Sequence, residues 1–261
     1  MQPVNAYAQP GDLGEPRSSF NMGSAAMLEG SNTIVSVFVD TPNAKWSEKE
    51  KLSTLDSLKS ATEYLKAQGS QYDKNIEFNY DWSKDSNLKY SARMFRKPDN
   101  SEGFEDYLDR YIALWREYHL RKDAYSGMYN NEFGDGYERL ISLYESDNIF
   151  MIVYLKGEGR AYAICYDGID SPKESLVAYE GSSPAAMAHE ILHLYGAHDF
   201  YEGAEYTDDA VDFIMDKYPG DIMLTIDRGM KITKVIDPLT AYHLGWIDEC
   251  PDTDIFSQFI R

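Results

Sequence analysis

Residues 189–199 read HEILHLYGAHD and close a segment with strong helix signals. Ser182 or Ser183 can cap the helix, and Pro184 then stands in its first turn, where a missing N–H costs little. Apolar residues between 185 and 194 favour a largely buried helix, and Gly196 can end it with a positive φ. The sequence therefore predicts a buried helix of about three turns that carries two histidines and a glutamate.

The histidine spacing predicts a metal site on this helix. Residues four apart lie on one helix face, so His189 and His193 can direct imidazole nitrogens at one Zn²⁺ ion. Glu190 follows the first histidine and is placed to act as general base toward a zinc-activated water, as in the HExxH pattern of zinc hydrolases. The alternative is a core helix whose two histidines find partners within the protein, since buried polar groups without partners are costly.

The composition is that of a globular protein with a strongly acidic surface. Hydrophobic residues make up 43% of the 261 residues, and the formal net charge is −19. No apolar run reaches the ~18 residues of a membrane span. The negative charge argues against binding nucleic acid or anionic membranes. It could favour basic substrates, although such a charge more often belongs simply to a solvated surface. We expect a monomer.

The first residues and the cysteines are the features that could indicate the cellular compartment of the protein. Residues 1–25 contain no basic start followed by an apolar run, so no signal peptide is predicted. Their Pro, Gly, Asn, Gln and Ser content is typical of the trimmed start of a secreted, cell-surface or periplasmic protein, but a cytoplasmic chain would look the same. Cys165 and Cys250 are the only cysteines. Either a disulfide or two buried thiols would fit them.

The order of predicted elements indicates an α+β fold. Strands are predicted at 34–39, 75–80 and 89–95, and helices at 47–68, 103–122 and 136–145. The first of these helices is expected to start with a capping box of Ser47 and Glu50 and to end at Gly69. Strands at 148–155 and 160–166 are predicted to form a hairpin, and a strand at 175–180 leads into the helix with the histidines. We therefore expect a mixed twisted sheet with backing helices and the zinc helix at a cleft. The expected parts of this single catalytic domain are an irregular segment (1–30), an N-terminal sub-domain (31–196) and a loop-rich, partly helical C-terminal sub-domain (197–261).

Three fragments resemble one family. HEILHLYGAHD is similar to HExxHxxGxx(H/D), the extended motif of the metzincin metallopeptidases, and within them to the versions with aspartate as third ligand. YPGDIML at 218–224 resembles their Met-turn, and DPLTAYHLGWID at 237–248 resembles a short helix that follows it in some secreted bacterial peptidases. The resemblance covers roughly residues 175–248.

The resemblance implies a metzincin-like fold and a zinc-dependent endopeptidase. One catalytic zinc ion, a peptide or protein substrate, and pairing of that substrate with the strand at 175–180 are implied with it. Two alternatives remain open. The chain could be a non-catalytic, metal-stabilised binding protein, or a zinc hydrolase of a non-peptide amide.

The third ligand is expected to be Asp199. The resembled motif places its third ligand ten residues after the first histidine, which is the position of Asp199. Zinc chemistry alone would favour the adjacent His198, because imidazole is the commoner zinc ligand. Neighbouring side chains in an irregular segment tend to point apart. We therefore expect His198 to be exposed or to lie behind the ligands.

Further candidates are assigned by their surroundings in the sequence. Met223 is the expected Met-turn residue, packed beneath the metal, although Met215 and Met230 could take this place and methionines commonly fill cores. A tyrosine could support the ligands or donate to an oxyanion, and the candidates are Tyr201, Tyr218 and Tyr242. A calcium site is conceivable at Asp208, Asp209 and Asp212, but these residues lack an EF-hand pattern and fit a solvated face better.

Overall fold

The computed structural model describes most of the segments that carry the predicted sheet and the histidine helix. The described residues are 25–40, 45–80, 90–93, 144–164, 174–201, 207–250 and 252. The predicted helix at 103–122 and nearly all of the one at 136–145 lie outside them, as does Cys165. Cys250 is buried.

The described strands form a single mixed sheet, as predicted. In chain order they are β1 (Gly30–Asp40), β2 (Ile76–Tyr80), β3 (Tyr90–Arg93), β4 (Asn148–Leu155), β5 (Tyr162–Ile164) and β6 (Ser175–Tyr179). The order across the sheet is β2-β1-β4-β6-β5, and β3 pairs with the other half of β1. All these pairs are parallel except β5–β6. The strands β4 and β6 are buried along their whole length, as expected for strands inside a sheet covered on both faces.

The predicted hairpin of β4 and β5 is wrong. The strands themselves are present, but β6 lies between them and pairs with β4 in parallel and with β5 antiparallel. Short apolar strands close in sequence satisfy the local pattern of a hairpin, yet β6 is more completely buried than β5 and takes the interior place. Among the described strands, β5 is therefore the edge of the sheet on this side.

The first helix starts where the sequence predicts. In α1 (Glu48–Ser70), Ser47 accepts a hydrogen bond from the Glu50 N–H, and the Glu50 carboxylate accepts one from the Ser47 N–H, which completes the predicted capping box. Gly69 does not end the helix. A Cβ on Gly69 would lie 2.4 Å from Cδ1 of Ile76, so any larger residue here would have to displace the end of that side chain where α1 approaches β2.

Three shorter helices follow the sheet. They are α2 (Pro184–Leu194), α3 (Asp208–Lys217) and α4 (Pro238–His243). Helix α2 packs against α1, and one buried apolar cluster joins both helices, the sheet and the region after residue 200. None of the described helices is both long and apolar enough to span a membrane. The architecture is α+β, with helices backing a mixed sheet.

Candidate metal centre

Helix α2 has the ends that the sequence predicts. The Ser183 hydroxyl accepts a hydrogen bond from the Ala186 N–H at 3.1 Å, and Pro184 is the first helical residue. The helix ends at Leu194, and Gly196 has a φ of 101°. Because non-glycine residues rarely adopt this φ, Gly196 lets the chain reverse direction just after the second histidine.

Three side chains converge beside this helix. Nε2 of His189 and Nε2 of His193 are 3.2 Å apart, and Oδ1 of Asp199 lies 3.0 Å from the first and 3.2 Å from the second. The two imidazole planes are nearly perpendicular, at 89°. Among the described residues, His189, His193 and Asp199 are the group of His, Cys, Asp or Glu residues that could hold a metal ion.

The outer nitrogens of both histidines contact backbone carbonyls. Nδ1 of His189 lies 3.0 Å from the Ile222 oxygen, and Nδ1 of His193 lies 2.8 Å from the Ala197 oxygen. A carbonyl oxygen can only accept, so each Nδ1 carries a hydrogen and donates it. In the neutral imidazoles, each Nε2 then presents a lone pair toward the same point.

This arrangement needs a positive charge at its centre. Two nitrogen lone pairs and a carboxylate oxygen at 3.0–3.2 Å repel one another unless a cation or an added proton lies among them. Burial raises the pKa of Asp199, but when protons on the facing imidazole nitrogens take the place of a cation, their hydrogen bonds and positive charge hold this pKa well below its usual range. Metal bonds of about 2.0–2.1 Å at tetrahedral angles place ligand atoms about 3.3 Å apart, so the observed spacing fits a small divalent ion.

His198 points away from this group, although it adjoins Asp199. Its ring packs on that of His243 in α4, with centroids 4.7 Å apart. His198 is only 8% exposed, so the expectation of an exposed side chain fails, and it is held in the core behind the ligands. The adjoining backbone is fixed because the Phe200 N–H donates to the Met223 carbonyl at 3.0 Å.

Glu190 lies beside the group in a buried position. Burial raises the pKa of Glu190 to about 7, although nearby His189 and Arg160 favour its charged form. The backbone N–H of Ala163 in β5 also lies near the carboxylate and favours its charged form. A carboxyl group whose pKa is close to neutral can both take and return a proton near physiological pH.

Tyr201 is the predicted tyrosine that reaches the group. Its hydroxyl donates to Oδ2 of Asp199 at 2.6 Å and accepts from Nη2 of Arg160 at 2.7 Å. The other two predicted tyrosines contact other groups. The Tyr218 hydroxyl donates to Asp252, and the Tyr242 ring lies near His243.

The three candidate Met-turn residues differ in how deeply their side chains are buried. Met223 is fully buried, whereas Met215 and Met230 are 55% and 64% exposed. Met223 follows Ile222, whose carbonyl accepts from His189. The structure thus places the expected Met-turn residue one position from a contact of the first histidine, and its role beneath a metal stays a prediction.

Asp221 was not singled out from the sequence, although it stands in the fragment YPGDIML. Its carboxylate accepts from the N–H of Met223 at 2.7 Å and of Asp237 at 2.9 Å, and it is fully buried. Burial raises the pKa of Asp221 to about 7 in spite of these hydrogen bonds. A lone charged residue inside an apolar run was the signal that could have identified it. Asp221 fixes the turn that presents the Ile222 carbonyl to His189.

The acidic residues considered for calcium lie on the surface. Asp208 and Asp209 occupy the first turn of α3, and Asp212 lies one turn further along. All three are exposed, and they are not among the described groups that could hold a metal ion. Negative side chains at a helix start are stabilised by the helix dipole, which accounts for them without an ion.

Comparison with known proteins adds little to this description. No protein-family model matches the chain. No curated protein matches it either. Among solved structures, the chain is similar to one described as a chaperone–substrate complex, with 12% identity and a TM-score of 0.34. The match covers 90% of this chain and 35% of that one, and the TM-score is too low to indicate a shared fold.

Proposed function

We propose that this protein is a zinc-dependent endopeptidase of the metzincin type. The observation that carries the proposal is the convergence of His189 Nε2, His193 Nε2 and Asp199 Oδ1 at 3.0–3.2 Å, with the buried Glu190 beside them. Two imidazoles and one carboxylate form a ligand set that zinc accepts, and Fe(II) is another ion that such a set can hold. The fragment HEILHLYGAHD, which resembles the metzincin motif, contains all four residues.

The number of ligands favours a catalytic ion. Structural zinc sites are closed by four protein ligands, whereas catalytic sites have three and keep a position for water or substrate. His198 would have been the natural fourth ligand, but its ring packs on His243 instead. Within the described part of the chain, the group offers three candidate ligand atoms.

The roles of the residues follow from their chemistry. When bound, a zinc ion supplies Lewis acidity to a water molecule and to the carbonyl of the scissile bond. Glu190 takes the proton from the attacking water and then passes it to the leaving amine. Tyr201, through its hydrogen bond, holds the carboxylate of Asp199 in place, while the backbone carbonyls of Ile222 and Ala197 orient the two imidazoles.

We assign the substrate to a different strand from the one that the resemblance implied. The resemblance implied pairing with residues 175–180, but β6 has β4 on one side and β5 on the other, so its hydrogen-bonding groups are taken. Among the described strands, β5 is the sheet edge on this side, and its Ala163 N–H lies near Glu190. We propose that an extended peptide binds along this outer edge of β5, beside the general base.

The buried Glu190 also bears on the alternatives. A metal site that only stabilises a binding protein does not need a buried carboxyl group next to its first ligand, and burying that group costs stability. A zinc hydrolase of a non-peptide amide would use the same residues. Substrate tests must therefore include both peptides and small amides.

The test combines metal content with turnover. We expect the purified protein to bind one zinc ion and to cleave members of a mixed peptide library. The variant Glu190→Gln should keep zinc and fold but lose at least about 10²-fold in kcat/KM. The exposed Glu249→Gln is the matched control and should match the wild type. Zinc binding without cleavage of any peptide or amide would refute the enzymatic function, and equal activity of Glu190→Gln would refute the mechanism.

A further inference from the structure

Arg160 lies beside the proposed site. It lies in the connection between β4 and β5, two residues before β5 begins, and its side chain is exposed. One guanidinium nitrogen, Nη2, donates to the Tyr201 hydroxyl at 2.7 Å, and the guanidinium carbon lies 5.4 Å from the centre of the Tyr201 ring.

The position of Arg160 is fixed relative to the metal ligands. The Tyr201 hydroxyl that accepts from Arg160 also donates to Asp199 at 2.6 Å. Arg160 also interacts electrostatically with Glu190 and Asp199. Two hydrogen bonds thus hold a cationic group next to both the general base and a ligand.

The charge of Arg160 is not neutralised by an ion pair with a described carboxylate. Lys156, four residues earlier in the same connection, shows the contrast, because it lies 2.5 Å from a Glu50 oxygen and 2.7 Å from a Glu180 oxygen. A guanidinium group has five N–H donors, and Tyr201 uses one of them. An exposed arginine with donors to spare suits a planar carboxylate, which it can bind through two parallel hydrogen bonds.

We infer that Arg160 binds a carboxylate of the substrate close to the scissile bond, so that the enzyme prefers an acidic group there. The inference rests on the proposed function, because it takes the outer edge of β5 and Glu190 to mark the scissile bond. The carboxylate has two possible sources, the side chain of an acidic residue or the free C-terminus of a short peptide. Both present the same planar anion to the guanidinium.

This preference runs against the overall charge of the protein. A net charge of −19 attracts basic peptides and repels acidic ones over long distances. A preference for an acidic substrate can then arise only from a local cation. Because salt screens long-range repulsion more than a close contact, the preference should persist at high ionic strength.

The experiment measures binding apart from turnover. In the zinc-loaded Glu190→Gln protein, fluorescence anisotropy gives the Kd of labelled peptides that differ only by Glu or Gln at each position, with both ends blocked. A second set has blocked or free C-termini and no acidic side chains. We expect the carboxylate member of at least one set to bind about three- to tenfold more tightly. Adding Arg160→Gln should abolish this ratio, whereas Arg160→Lys should keep part of it.

Tyr201→Phe separates charge recognition from support of the metal ligand. This variant loses the hydrogen bond to Asp199 and the one from Arg160, and it should bind zinc more weakly. At saturating zinc it should still retain the carboxylate preference, because the guanidinium charge and the aromatic ring beside it are still present. Loss of the preference in Tyr201→Phe and not in Arg160→Gln would overturn the inference.

The remaining outcomes distinguish this inference from the proposed function. Equal Kd values for all pairs, or no binding of any peptide, would refute the role of Arg160. Cleavage by the wild type with no carboxylate preference would refute that role and leave the peptidase assignment intact. Carboxylate-selective binding that depends on Arg160, with no cleavage by the wild type, would support the anion site and refute the peptidase assignment.

Discussion

Zinc affinity should respond in a graded way to three substitutions around the proposed third ligand. Asp199→Ala removes the oxygen that lies 3.0 and 3.2 Å from the two imidazole nitrogens. Tyr201→Phe removes only the hydrogen bond at 2.6 Å to the other oxygen of the same carboxylate. His198→Ala changes the residue adjacent in sequence, whose ring packs on His243.

The expected magnitudes follow from these contacts. Loss of a partner behind a ligand typically costs about 10- to 100-fold in metal affinity, which is the expectation for Tyr201→Phe. Loss of the ligand itself removes both a metal bond and a negative charge, so Asp199→Ala should cost more than about 100-fold, or about 2.7 kcal/mol. His198→Ala should change zinc affinity less than about tenfold, although the cavity beside His243 should lower stability.

Competition with a chromophoric chelator at fixed pH gives the affinities, and thermal unfolding gives an independent readout. At free zinc about 1,000 times the wild-type Kd, binding adds about 4 kcal/mol to the free energy of unfolding. For a domain of this size that corresponds to a rise in Tm of about 8–16 °C. At the same zinc concentration, a 100-fold weaker Asp199→Ala should gain only about 1.4 kcal/mol, or about 3–6 °C.

Two results would refute this assignment. If His198→Ala loses as much zinc affinity as Asp199→Ala, the two side chains exchange places when metal binds, and His198 is a ligand. If Asp199→Ala retains wild-type affinity, the carboxylate is not a ligand, and the close approach of its oxygen to the two histidines has another cause.

Three further substitutions test the support of the site. Met223→Ala should lower the free energy of unfolding by about 2–5 kcal/mol because Met223 is fully buried, whereas the exposed Met215→Ala should change it by less than about 0.5 kcal/mol in denaturant titrations. Ser183→Ala removes the cap of the histidine helix and should cost about 1 kcal/mol in the same assay, and an unchanged midpoint would contradict the capping role. Asp221→Ala leaves the N–H groups of Met223 and Asp237 without their acceptor. We therefore expect the free energy of unfolding to fall by about 2–4 kcal/mol and zinc to bind more weakly. Normal zinc affinity would show that the turn holds its shape without Asp221.

Predictions that depended on neighbouring residues agree with the structure. The capping box of Ser47 and Glu50 and the Ser183 cap with Pro184 at the first turn are present as expected. Each of these features is formed within four residues, so the local sequence is enough to specify it. The strands at 148–155 and 175–179 could be predicted for a similar reason, since short β-branched and apolar runs are typical of buried strands.

Predictions about which segments meet were less successful. The hairpin of β4 and β5 failed, and the interior place of β6 argues against substrate pairing there, because that place depends on burial against the whole core. His198 and Asp199 could not be separated by local chemistry either. Their directions are set by a backbone turn that the Phe200 N–H anchors to the Met223 carbonyl.

The sequence by itself determined a capped, buried helix with two histidines on one face and a glutamate beside them, because helix periodicity and capping act over a few residues. Only the tertiary structure decided which groups complete the site. The Ile222 carbonyl reaches His189 across 33 residues, and Arg160 reaches Tyr201 across 41. Such contacts form when the sheet, the helices and the turns pack into one core, and no local pattern encodes which distant residues that packing brings together.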